Sequence, residues 1–193
     1  MNSQLIGALF MAIICIYFIY SKNNVYLIGD NSFDILVDIQ SHVLNTKKEI
    51  SLVSSRYVDN TRIVTFSMGG ELGMAIYTKG YNSKLMLKWI DFGASRCFSR
   101  TISTAKGKYL IISGDNSELL IDKVETTINK AKLYLSTKNE RYFLKVCPLE
   151  SQTIEGMALL KLYNRNGEDI TSELMYREEL DYSTDDFAFI NNN

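Results

Sequence analysis

The chain has 193 residues, of which 22% are charged and 11% aromatic, with a net charge of −1. That profile excludes an intrinsically disordered chain, which would be poor in aromatic and β-branched residues. It carries no basic excess of the kind nucleic acid demands, so nucleic acid is not an expected partner.

After a polar stub at residues 1–4, Leu5 to Tyr20 holds no charged side chain. As a helix, those sixteen residues cover roughly 24 Å, against a hydrocarbon core of about 30 Å. With Ser21 added and Lys22 reaching outward, residues 5–21 predict a short transmembrane anchor, making the lipid bilayer an expected partner. Tyr17, Phe18 and Tyr20 gather at one end, where aromatic rings favour the membrane interface. A cleaved signal peptide fits less well, because the stub has no Lys or Arg and no small-x-small site precedes Ser21. A buried core helix is the remaining alternative, but the run is apolar on every face instead of along one stripe. Lys22 alone leans toward a cytoplasmic C-terminal part. A short stub before a long domain leans the other way, and an extracytoplasmic domain is the expectation.

About 170 residues follow the anchor, enough for one domain with a real core. Residues 22–172 predict a β-rich globular domain. VYLIG, at 25–29, reads as a short strand, and Gly29, Asp30 and Asn31 as a turn. Ser32 is placed to cap a helix that begins at Phe33, with Asp34 in its first turn and Leu36, Ile39 and Val43 at helical spacing. The pattern then changes to period two. SLVSSRYV, RIVTFSM, MAIYT, KLMLKWIDF, CFSRTIST and YLIIS are rich in β-branched and aromatic residues and are separated by Asn and Gly turns. In KLMLKWIDF, strict alternation puts Leu85, Leu87 and Trp89 on one face and Met86, Lys88 and Ile90 on the other.

ELLIDKVETTINKAKLYLST fits a helix through Leu120, Val124 and Ile128, or a hairpin turning at Asn129–Lys130. Thr126–Thr127 and the Leu133–Tyr134 pair favour the hairpin. RYFLKVCP reads as a strand stopped by Pro148, the only proline. MALLKLYN and EDIT flank a tight turn at Asn166–Gly167. An acidic tail is expected over 173–193. The fold class that results is α+β, predominantly antiparallel β (a sandwich or an open barrel) with one or two helices, preceded by an N-terminal transmembrane helix.

Residues for chemistry are few. Cys15 lies in the apolar run. Cys97 and Cys147 could form a disulfide outside the cell, and otherwise read as two buried thiols. The one histidine, His42, has no metal-ligand spacing around it and reads as a structural residue. No Gly-x-Ser-x-Gly elbow presents a serine to it, and pairing with Cys97 has no local support. Gly69, Gly70 and Gly73 read as a turn or bulge, not as a phosphate loop. Asp30, Asp34 and Asp38 do not match a calcium loop. No catalytic, metal or cofactor site is expected, and no cofactor. Trp89, with Phe92 and Tyr81 nearby in sequence, is the aromatic most suited to a binding face. The expectation is a membrane-tethered, non-catalytic domain that binds a protein or envelope partner. Alternatives are a membrane-bound hydrolase with dispersed residues and a structural subunit of a membrane complex.

Overall fold

The computed structural model describes residues 10–15, 25–43, 48–93, 96–128, 131–149 and 158–175. Residues 10–15 are helical. The rest of the expected anchor lies outside the described residues. Among the described residues no helix is long and apolar enough to cross a membrane.

The remainder is mostly antiparallel sheet, as the period-two patterning requires. Helix α1 (Ser32–His42) comes first. Its cap is Asn31, one residue earlier than expected: the Asn31 side chain accepts the Asp34 amide at 2.9 Å, and its own Nδ2 donates to the Asp34 carboxylate at 2.9 Å. Strands β1 (Ile50–Val58), β2 (Thr61–Met68), β3 (Glu71–Lys79) and β4 (Leu85–Gly93) follow as a four-stranded meander. Strands β5 (Cys97–Thr104), β6 (Gly107–Asp115) and β9 (Tyr142–Leu149) form a second sheet with β6 central. Strands β7 (Lys123–Ile128), β8 (Ala131–Ser136) and β10 (Leu160–Tyr163) form a third with β7 central. A five-residue helix α2 (Thr171–Met175) closes the described chain.

Three buried clusters stack these elements. Ile35 and Ile39 of α1 meet Val64, Phe66, Ala75 and Tyr77 on one face of the first sheet. The other face gives Ile63, Met74 and Ile76 to a cluster with Ile102 and Ile111 of the second sheet. The far face of the second sheet gives Leu110, Ile112 and Phe143 to a cluster with Val124, Leu160 and Leu162 of the third. Strand β6 shows the cause: Ile111 points one way and Leu110 and Ile112 the other, so a strand buried on both faces reads as a continuous apolar run.

Several expectations change on this frame. Segment 25–29 contributes only an isolated bridge, Ile28 to Leu85. The ambiguous stretch is a β7–β8 hairpin with Ile128 opposite Ala131, which overturns its helical alternative; the expected turn residues Asn129–Lys130 lie outside the described residues. In β4, strict alternation fails. Trp89 sits opposite Ile76 but Leu87 sits opposite Tyr77, so Lys88 is an extra residue. That bulge turns Leu85, Leu87 and Ile90 toward α1 and Trp89 toward the second sheet. EDIT returns beside β10 through a single antiparallel bridge, Asp169 to Tyr163, before α2 begins. Leu174 of α2 is buried in the third cluster. The tail from 176 onward lies outside the described residues.

Candidate functional site

The densest set of charged and polar side chains lies where α1 begins, on its side of the first sheet. Tyr57, Arg62 and Tyr77 stand side by side on β1, β2 and β3, because the register pairs Tyr57 with Arg62 and Arg62 with Tyr77. Asp30, just before the helix cap, reaches over this row. Arg62 Nη1 donates to Asp30 Oδ1 at 2.5 Å and Lys79 Nζ donates to Oδ2 at 2.7 Å. Both cations also face the Tyr57 ring, at 5.6 Å and 5.5 Å from its centroid. About two helical turns further on, the Tyr77 hydroxyl donates to Asp38 Oδ2 at 2.9 Å.

Protonation follows from this arrangement. Burial alone would raise the Asp30 carboxyl, but hydrogen bonds from Lys79, Tyr57 and Arg62 outweigh it and hold its pKa below the usual carboxylate range. Burial, and then the nearby Asp30 carboxylate, push the Tyr57 phenol up to about 12. Burial and Asp38 push Tyr77 up as well. Both phenols therefore stay protonated at neutral pH and serve as donors, not bases. Arg62 Nε is buried with no hydrogen-bond partner among the described residues. The seam thus joins the start of α1 to three strands through a single carboxylate.

This set was not picked out from the sequence, although one signal was present. Arg62 shares the parity of Val64 and Phe66, so it occupies an inward position, and an arginine there requires a partner.

His42 does gather a serine and an aspartate. Ser41 Oγ lies 3.2 Å from His42 Nδ1, and the Asp38 backbone oxygen 2.8 Å from the same nitrogen. The Asp38 carboxylate is 3.9 Å from that nitrogen too. A hydrolytic triad needs its serine on one ring nitrogen and its carboxylate on the other. Here all three crowd Nδ1, and Ser41 Oγ donates to the Asp38 backbone oxygen at 2.7 Å. This is hydrogen bonding within the last turns of α1, and it supports the structural reading of His42.

Cys97 and Cys147 are buried thiols, and no disulfide joins them. They lie on β5 and β9, which flank β6, and the register sets Cys97 beside Gly114 but Cys147 beside Leu110. Two strand spacings of about 4.8 Å and four residues of stagger separate them, whereas a disulfide needs Cα atoms within about 7 Å. In this structure the two thiols stand apart. Trp89 is half-buried, and the Arg100 guanidinium on β5 lies 3.8 Å over its ring. The indole packs against the cluster between the first and second sheets. Gly69 and Gly70 form the β2–β3 turn with φ of 58° and 92°, but Gly73 lies inside β3.

The outer face of the third sheet is the other polar surface. Glu125 accepts from Lys132 and from the Tyr163 hydroxyl, each at 2.9 Å, and Lys123 lies over the rings of Tyr134 and Tyr163 at 5.0 and 4.6 Å. Tyr134, Lys132 and Lys161 are exposed there. Among the described residues no three His, Cys, Asp or Glu side chains gather to hold a metal ion. No family model matches the chain, and neither does any curated protein or solved structure with which it was compared.

Proposed function

We propose that this chain is a membrane-tethered, β-rich domain that binds a protein or envelope partner and carries no reaction of its own. The tether is residues 5–21, and it follows from the contiguous hydrocarbon side chains there. The observation that carries the binding role is the outer face of the third sheet. On it Tyr134, Lys132 and Lys161 are exposed and Tyr134 and Tyr163 flank Lys123, while Glu125 is buried and already engaged by Lys132 and Tyr163. Tyrosine gives large contact area at low entropic cost, and lysine stems add apolar cover around it. The cations of the charged seam at α1, by contrast, are already engaged by Asp30.

The test uses the full-length protein in native membranes with a photoreactive residue in place of Tyr134. One discrete adduct is expected, lost when Lys123 and Tyr163 are both replaced by Ala, with no adduct from the same probe at Lys106 on the β5–β6 turn. Adducts of equal yield at both positions, or turnover by the purified protein on a broad hydrolase panel, would refute the reading.

A further inference from the structure

The N-terminal part of the described domain leaves a set of large apolar side chains in solvent. Leu27 is 69% exposed, Phe33 73% and Val37 48%, and Val25 is exposed beside them in sequence. Phe33 and Val37 are one helical turn apart, on the side of α1 opposite Ile35 and Ile39, which are fully buried. Val25 and Leu27 alternate with Ile28 and Tyr26, which turn inward: Ile28 bridges Leu85, and the Tyr26 ring lies against Gly80 in the β3–β4 turn. The Tyr26 backbone oxygen accepts from Asn82 Nδ2 at 3.1 Å, which fixes this segment to that turn. Tyr81, fully exposed, projects from the same turn, and exposed Lys84 follows it. Asp30 ties the start of α1 to Lys79 at the end of β3, so all three elements meet at one end of the molecule.

An amphipathic helix in a soluble domain keeps its outward side polar. Here the outward side holds Phe33 and Val37 beside the uncharged Gln40 and Ser41, and the nearby carboxylate of Asp34 is already engaged by Asn31. Aliphatic residues with a projecting tyrosine and a lysine match the interfacial layer of a bilayer, where hydrocarbon enters the acyl boundary and polar tips stay among the headgroups. Chain length selects the same occupant. Tyr20 ends the apolar run and Val25 begins the described segment. Five residues span at most roughly 18 Å even when fully extended, so the apolar surface is held close to the membrane.

We infer that Leu27, Phe33 and Val37 seat the domain on the surface of the bilayer that holds its tether, fixing the orientation of the domain instead of letting it swing freely. This rests on the tether reading, and the experiment separates the two. The full-length chain carrying Trp89→Phe and Phe33→Trp is reconstituted in phosphatidylcholine vesicles brominated near the headgroup end of the acyl chains. Leu27→Trp in the same background is the second probe. Lys138→Trp, on the connection from β8 of the third sheet to β9 of the second, is the distant reference, and circular dichroism checks that each variant folds.

Flotation with the vesicles is expected, with blue-shifted and strongly quenched emission for the probes at 33 and 27 and unquenched emission at 138. Flotation with no quenching at 33 or 27 would overturn the inference while leaving the tether intact. A blue shift without quenching would assign the surface to a protein neighbour or a second copy of the chain, and would equally overturn it. Failure to float would remove the tether and this inference together.

Discussion

Gly73 of β3 lies directly opposite Phe66 of β2, and the phenyl ring folds over the glycine so closely that an added Cβ would sit 2.3 Å from its Cζ. The second sheet repeats the device. Gly114 of β6 is opposite Phe143 of β9, and a Cβ there would meet the ring at 2.1 Å. Both rings are buried and belong to different clusters. A ring covering a mid-strand glycine restores the packing that the missing side chain gives up, and it helps fix register. Gly73→Ala and Gly114→Ala are each expected to cost about 1–3 kcal/mol, because ring and new methyl cannot occupy the same space. Shortening the ring in Gly73→Ala/Phe66→Leu is expected to cost less than the sum of its single changes. Denaturant midpoints of the full-length protein in detergent measure this. Additive losses would remove the steric coupling.

Asp30 is expected to matter more than either of its cations alone, since it holds both Arg62 and Lys79. Asp30→Asn leaves the inward guanidinium without its counter-charge and is expected to cost about 1–2 kcal/mol, a modest figure because the seam keeps a rim open to solvent. The pH dependence has a definite sign. The folded-state pKa of Asp30 lies below the ordinary 3.8, so its contribution is fully present above that value and is lost as pH falls through the lower folded pKa. Wild-type stability should therefore drop more steeply below about pH 4 than that of Asp30→Asn, with no difference in slope near neutrality. Parallel profiles in acid would contradict this.

These residues also show how far the sequence could be read. Period-two alternation located the strands, because each buries at least one face and side-chain direction follows the pleat. The β7–β8 hairpin and the turns at Gly69–Gly70 and Asn166–Gly167 were legible in the same way. What stayed hidden was set by neighbours distant in the chain. Nothing local announces that Lys88 is an extra residue; only pairing with β3 reveals the bulge that turns Trp89 to the other side. Gly73 and Phe66 looked like unrelated turn and strand residues until register placed them face to face. The Asp30 seam joins residues 32 and 49 positions apart. The stacking of three sheets depends on long-range pairing such as β6 with β9, across the whole β7–β8 hairpin. The parity of Arg62 was the one local sign of the seam.

The thiols give a prediction about reactivity. Burial pushes Cys97 up to about 12 and raises Cys147 as well, although Arg56 and Lys145 pull the latter the other way. Neither forms the nucleophilic thiolate at neutral pH. In the folded protein, a maleimide at pH 7.5 is expected to spare both, while Cys15→Ser keeps the N-terminal thiol out of the count. Denaturation should release two reactive thiols with or without prior reductant. Release of two only after reduction would establish a disulfide and refute the register that separates them.

Ser113 supplies a change expected to stabilise the protein. It lies on β6 opposite Phe98, is only 1% exposed, and its hydroxyl has no hydrogen-bond partner among the described residues. A buried hydroxyl gives up its hydrogen bonds to water and here gains none in return. Its neighbours on that face are apolar, with Ile111 on the same strand and Phe98 and Leu144 paired across from it. Ser113→Ala removes the unsatisfied oxygen and leaves a void smaller than a methyl group. It is expected to raise stability by about 1 kcal/mol. Ser113→Val should gain less, because two added methyl groups must enter an interface already filled between the two sheets. The order expected in denaturant midpoints is therefore Ala above both Val and wild type. If Ser113→Ala proves less stable than wild type, the hydroxyl has a partner that this packing does not provide.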